Sequence, residues 1–126
     1  MTSRVTDRPA KLTVYGIRQC DTTRKALKWL AGQGIAYHFH DLREDGLEPG
    51  KIAAWLAAPI ADRLVNRRST TWRTLSDAQK QASGKALEQL LLGHPTLIKR
   101  PVLERGGEII AVGFDPVRLE EILENE

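Results

Sequence analysis

Residues 14–30 read VYGIRQCDTTRKALKWL and carry Cys20, the one cysteine of a 126-residue chain. On the N-terminal side, Leu12, Val14 and Tyr15 favour a short strand, which Gly16 breaks. From Asp21 onward, Ala26, Leu27, Leu30 and Ala31 recur at helical spacing, Asp21 and Lys25 stand as an i,i+4 pair, and Gly32 or Gly34 can end the helix. Residues 35–39, IAYHF, alternate and predict a second strand. Strand, helix and strand in so short a span define a parallel, right-handed βαβ unit. Cys20 then falls where the first strand's loop meets the first helix.

Outward from this unit the pattern changes. Pro49 suits the first turn of a helix whose apolar positions are Ile52, Trp55 and Leu56. Ser76 and Gln79 form a capping-box pattern, and Ala86, Leu87, Leu90 and Leu91 make an apolar stripe that Gly93 stops. Residues of about 48–94 therefore read as a helical insertion, interrupted by the Arg-rich loop NRRSTTWR. Beyond it, RPVLERGGEIIAVGF places Gly106 and Gly107 between two β-rich runs, a hairpin signal. Asp115 can cap a last helix, with Pro116 at its first position and Leu119, Ile122 and Leu123 on its buried stripe. The order is β-α-β, helices, then β-β-α, which predicts one α/β domain over residues 11–126 behind a flexible polar tail, residues 1–10.

Composition narrows the class. A hydrophobic share of 41% and a charged share of 28% are ordinary for a soluble globular protein. No apolar run reaches the roughly 20 residues of a membrane-crossing helix, and MTSRVTDRPA lacks the apolar core of a secretion signal. The expected location is the cytoplasm, where a lone thiol stays reduced. A net charge of +3 without a clustered basic face does not argue for direct nucleic-acid binding.

A free cysteine is commonly a small buried hydrophobe, and that reading is open for Cys20. The alternative is a nucleophile. At the start of a helix, unsatisfied N–H groups and the positive end of the dipole favour a thiolate, Arg18, Arg24 and Lys25 assist, and Asp21 opposes. The stretch Cys20-Asp21-Thr22-Thr23 has no resolving thiol three residues on. An adduct on Cys20 must then be released by another molecule's thiol, and glutathione is the simplest cytosolic candidate.

Taken with Cys20, the blocks YGIRQCDTTRKALKWL, HDLREDGL, LVNRRSTTWRTL and HPTLIKRPVLERGGEIIAVGF resemble the arsenate reductase (ArsC) family, more closely its YffB-like branch, relatives of the Spx regulators. The resemblance runs from about Lys11 to the C-terminal helix. It implies a thioredoxin-like fold with a helical insertion, Cys20 as nucleophile, and Pro101 as a cis proline facing it. Arg100 matches an arginine that helps hold the anionic substrate. Asn66 falls where the arsenate enzymes carry their first substrate arginine, with Arg67 and Arg68 following; Arg68 matches the Spx-like and YffB-like pattern. The third arginine's place is taken by Gly113 and Phe114, and a histidine four residues before the cysteine by Gly16.

These departures remove charges that an arsenate site uses, while glutathione's carboxylates can pair with Arg68 and Arg100. The expectation is a glutathione-dependent thiol reductase with no tightly bound cofactor, glutathione as co-substrate and glutaredoxin as a further candidate partner. Two alternatives stand beside it: a glutathione- or glutaredoxin-dependent arsenate reductase, and an Spx-like regulator that binds RNA polymerase. The chain lacks the CxxC switch of the latter.

Other clusters read more plainly. His38 and His40 alternate beside Asp41, which is a conceivable partial metal site, but a solvated strand face is preferred and no metal is expected. Asn66, Arg67, Arg68 and Arg73 around Trp72 resemble a stacking surface for RNA, yet the stretch is short and the anion-site reading is favoured for Arg68.

Overall fold

The computed structural model describes residues 12–124, so the predicted tail of residues 1–10 lies outside the described residues. The elements are β1 (Leu12–Gly16), α1 (Asp21–Gly32), β2 (His38–Asp41), α2 (Pro49–Leu56), α3 (Thr70–Arg73), α4 (Asp77–Lys80), α5 (Gly84–Gly93), β3 (Val102–Arg105), β4 (Glu108–Val112) and α6 (Pro116–Glu124), with 3-10 turns at Ala61–Arg63 and Pro95–Leu97. One four-stranded sheet has the order β2-β1-β3-β4. β1 runs parallel to β2 and antiparallel to β3, and β3 and β4 form the antiparallel hairpin.

β1 lies inside the sheet and buries both faces, as its near-continuous apolar run requires. Leu12 and Val14 face one core with Leu30 of α1, Leu103 of β3, Ala111 of β4 and Leu119 of α6. Tyr15 faces the other with Ile52 and Trp55 of α2, Leu91 of α5, and Leu64, Leu97, Ile98 and Val102. The helical segment thus supplies one layer and the terminal helix of each βα half the opposite one. Twelve-residue helices are marginal alone; α1 is held by its buried Thr23, Ala26 and Leu30, spaced to share one face.

The hairpin turns at Gly106 and Gly107, whose φ values of 60° and 86° suit a two-residue turn with both residues left-handed. The ladder slips by one residue between Leu103 and Glu104. The capping box at Ser76 and Gln79 is present, although the helix it starts spans only Asp77–Lys80.

Two local expectations need correction. The second strand is not at residues 35–39 but at His38–Asp41. Ile35 closes α1, its N–H donating to the Leu30 carbonyl at 3.0 Å after Gly34 turns with φ 72°, so the chain becomes extended only later. Asp21 pairs with Arg24 at i,i+3 and not with Lys25.

Candidate active site

Cys20 is the N-cap residue of α1, with extended backbone at φ −79° and ψ 123°. Its N–H donates to the Ile17 carbonyl at 2.8 Å, and its carbonyl accepts the Arg24 N–H at 3.0 Å, so a tight turn delivers the half-buried thiol to the helix start. Burial disfavours the thiolate, but the Thr23 hydroxyl, the Thr23 N–H and the Arg100 guanidinium outweigh it and hold the thiol below its ordinary pKa.

The turn is pinned from β2. Asp41, 1% exposed, accepts the Arg18 N–H on Oδ2 at 2.9 Å and the N–H groups of Arg43 and Glu44 on Oδ1 at 2.8 and 2.9 Å. Burial raises its pKa, and these three N–H donors together bring it below the ordinary carboxylate value. Leu42 N–H adds a bond to the Gly16 carbonyl at 2.8 Å. A buried carboxylate therefore fixes the loop that carries the thiol.

Thr23 is fully buried beneath Gly16. A Cβ at Gly16 would lie 2.5 Å from Thr23 Oγ1 and 2.6 Å from Cγ2. The place where the resemblance puts a histidine in arsenate reductases consequently has no room for any side chain. Gly16→Ala is expected to destabilise the fold by about 1–3 kcal/mol through overpacking. By displacing Thr23 it should also move the Cys20 pKa up toward the ordinary thiol range. The rate of Cys20 alkylation against pH reads this directly; an unmoved profile would show that Thr23 does not set the thiol's ionisation.

The Arg100–Pro101 peptide, just before β3, is cis. Pro101 is buried, and its carbonyl accepts the Gly113 N–H at 2.8 Å, which draws the end of β4 to the cleft. Asn66 N–H donates to the Leu97 carbonyl at 2.7 Å and Lys99 N–H to the Leu64 carbonyl at 2.8 Å, stitching residues 64–66 alongside 97–99. These pairings gather Cys20, Thr22, Arg63, Asn66, Lys99, Arg100 and residues 112–115 around one open cleft. Arg100 Nη1 donates to the carbonyls of Pro95 and Ile98 at 3.5 and 3.4 Å, while its buried Nε has no hydrogen-bond partner among the described residues.

Of the residues singled out in the sequence, the structure brings Cys20 and Arg100 together at the cleft, and Pro101 follows Arg100 as a buried residue. Arg67 and Arg68 are exposed and are not among the residues lining the cleft. The Arg67 guanidinium sits 5.6 Å from the Trp72 ring centroid, and the Arg68 N–H is taken by the Asn66 side chain at 3.1 Å. The placing of Arg67 and Arg68 beside Arg100 rests on the resemblance alone. Arg63 and Lys99, which sequence reading missed, line the cleft. Lys99 adjoins Arg100, a signal that was available; Arg63 is placed by the long-range pairing of residues 64–66 and offered none. Asp41 and Thr23 were likewise unmarked.

His38 is exposed, whereas His40 Nε2 lies 2.6 Å from the Gly46 carbonyl and its ring packs on Tyr15. Among the described residues no group of three His, Cys, Asp or Glu is placed to hold a metal, and no helix is long and apolar enough to cross a membrane.

A strand-loop-helix with one thiol at the helix N-cap, a cis proline leading into β3 and a sheet of order β2-β1-β3-β4 make this a thioredoxin-like protein. A model of the ArsC family matches residues 15–122, and the chain belongs to that family. It is 44% identical over 105 residues to an uncharacterized protein of Haemophilus influenzae, covering 82% of this chain and 91% of that one. The solved structure of a YffB protein superposes with a TM-score of 0.78 at 39% identity, covering 87% of this chain and 96% of the other. The global transcriptional regulator Spx 2 of Oceanobacillus iheyensis is 28% identical over 94 residues, 73% of this chain and 69% of that protein.

Proposed function

We propose that this protein is a glutathione-dependent thiol reductase in which Cys20 is the nucleophile. The observation that carries the reading is the half-buried Cys20 thiol at the N-cap of α1, held below its ordinary pKa beside Arg100 in an open cleft. Membership of the ArsC family supports an oxidoreductase.

The Cys20 thiolate attacks the glutathionyl sulfur of a mixed disulfide, forming a Cys20–glutathione disulfide and expelling the second thiolate, which takes a proton from water. A second glutathione thiolate then attacks the glutathionyl sulfur, restoring Cys20 thiolate and releasing oxidised glutathione. The external thiol is required because the chain has a single cysteine. Arg100 stabilises the thiolate as attacker and as leaving group. Its unpartnered Nε offers a buried donor that an anionic ligand can satisfy, recovering about 1–3 kcal/mol of desolvation.

Arsenate is less well served. The positions where the resemblance places two of three substrate arginines, Asn66 and Gly113-Phe114, do line the cleft, but without charge. The test is turnover of the mixed disulfide of glutathione and 2-mercaptoethanol with glutathione as donor, run beside arsenate with glutathione and glutaredoxin. Disulfide turnover without arsenite production is expected. Arsenite formation without disulfide turnover would overturn the reading in favour of arsenate reduction, and no turnover of either would remove the enzyme reading.

A further inference from the structure

The arginines around Trp72, singled out in the sequence, take no part in the thiol exchange. Charge along the chain is uneven: residues 63–87 hold Arg63, Arg67, Arg68, Arg73, Lys80 and Lys85 against Asp77 alone, whereas the whole chain has 19 Lys and Arg against 16 Asp and Glu. The remainder is therefore net acidic, and the helical insertion carries the positive charge. The Arg67 guanidinium and the Lys80 ammonium lie 5.6 and 5.9 Å from the Trp72 ring centroid, so cation–π attraction gathers charges from two segments on one indole. Trp72 itself packs against the core. The turn before it is closed by side chains: Ser69 Oγ donates to the Asn66 carbonyl at 2.8 Å and accepts the Trp72 N–H at 3.1 Å, and the Asn66 side chain accepts the Arg68 N–H at 3.1 Å. Arg67, Arg68 and Arg73 are exposed, and among the described residues neither they nor Lys80 have a carboxylate partner. Asn66, where the turn starts, lines the Cys20 cleft, so this surface begins at its rim.

An ordered turn and an anchored indole hold these cations before any ligand arrives, which lowers the entropy cost of docking. The display also selects its partner's chemistry. A single nucleic-acid strand stacks its bases on open aromatic faces, and binding through phosphates alone draws on a longer run of cations. Here the Trp72 ring is already engaged by Arg67 and Lys80, and Asp77 opens α4 within the same stretch. Carboxylates spaced along a polypeptide match better, because each pairs with a single cation and a guanidinium fork takes one in two bonds. We infer that the Arg67–Trp72–Lys80 face, with Arg68 and Arg73, docks an acidic segment of a partner protein beside the Cys20 cleft. Docking is a binding step and stands or falls apart from the reaction at Cys20.

Fluorescence anisotropy of labelled probes with the full-length protein tests this. The probes are a peptide of alternating Glu and Ser, its counterpart with Gln for Glu, and an oligouridylate of the same length. At low salt the Glu peptide should bind at least about tenfold tighter than the Gln peptide, the scale of several exposed ion pairs acting together, and about 0.5 M salt should abolish the difference. Arg67→Ser with Lys80→Ser should weaken the Glu peptide about fivefold; Arg68→Ser with Arg73→Ser, which leaves the cations on Trp72 in place, should do the same. Lys25→Ser with Lys28→Ser, at exposed positions of α1, removes equal net charge and should change binding less than about twofold. Equal binding of the Glu and Gln peptides would overturn the inference. So would oligouridylate binding as tightly as the Glu peptide, which makes this a nucleic-acid surface, or equal effects of the α1 and insertion variants, which reduces the binding to net charge. None of the probes contains a thiol, so the outcome is independent of whether Cys20 is a nucleophile.

Discussion

Cys20→Ser is expected to lower glutathione-coupled disulfide reduction by at least about a thousandfold, the scale seen when a nucleophile is removed from a site that otherwise stays assembled. The serine hydroxyl is not ionised near neutral pH and cannot form the mixed disulfide. It is nonetheless a favourable N-cap, and the backbone at position 20 is already extended as a cap requires. The variant should therefore fold at least as stably as the parent, so lost turnover cannot be assigned to unfolding. Thermal unfolding recorded alongside the rate of oxidised-glutathione formation checks both statements. Undiminished turnover would end the nucleophile reading and shift attention to a regulatory, polymerase-binding role. With no second cysteine, that role could not use an internal disulfide as its switch.

The second large effect is on stability. Glu104→Ala should cost about 3 kcal/mol, read as a lower midpoint in urea at neutral pH. Glu104 is 5% exposed on β3, and its carboxylate accepts Tyr15 Oη at 3.1 Å, Trp55 Nε1 at 3.0 Å and Lys51 Nζ at 3.1 Å. It ties β1, β3 and α2 together within the core. Lys51 is about one-third exposed and can turn to water when its partner is lost. Tyr15 and Trp55, 6% and 1% exposed, cannot; each would retain a buried donor without an acceptor, at about 1–3 kcal/mol apiece. Glu44→Ala is the contrast: its pair with Arg18 has both side chains more than half exposed and should cost within about 1 kcal/mol.

The same carboxylates set the acid limit. Burial raises the Glu104 pKa, but Trp55, Lys51 and Tyr15 outweigh it, so the folded value lies below the ordinary one; Asp41 is lowered by its N–H donors. A depressed folded pKa means that the unfolded chain binds the proton more tightly. The stabilisation is therefore complete above the unfolded carboxylate range of about pH 4 to 4.5 and drains as pH falls through the folded values. Glu104→Gln should flatten this acid slope. An unchanged slope would place the acid sensitivity elsewhere.

Much of this protein could be read from its residues alone. The short-range signals are local physics: alternation and β-branching at Leu12–Gly16, helical spacing after Asp21, proline at the start of α2 and α6, and the Gly106-Gly107 turn. They place Cys20 at a helix N-cap without reference to any distant residue, and the family resemblance implied the cis bond at Pro101. The failures are of another kind. IAYHF alternates like a strand, yet its first residue is consumed in closing α1, a competition between cap and sheet that periodicity does not resolve.

The tertiary structure alone decided what surrounds the thiol. Arg67 and Arg68 are candidate anion ligands through the family resemblance and are exposed, while Arg63 and Lys99, flanking the pairing of residues 64–66 with 97–99, line the cleft. Asp41 and Glu104 are ordinary acidic residues in the sequence. They acquire their roles only when folding buries them and distant donors arrive, the Arg18 N–H of the Cys20 loop joining the local Arg43 and Glu44 N–H groups at Asp41, and Tyr15 of β1 with Trp55 of α2 reaching Glu104. Local sequence determines which backbone shapes are available, whereas charge pairing and desolvation depend on neighbours distant along the chain. The position of Cys20 belongs to the first kind of information and the ionisation of its thiol to the second.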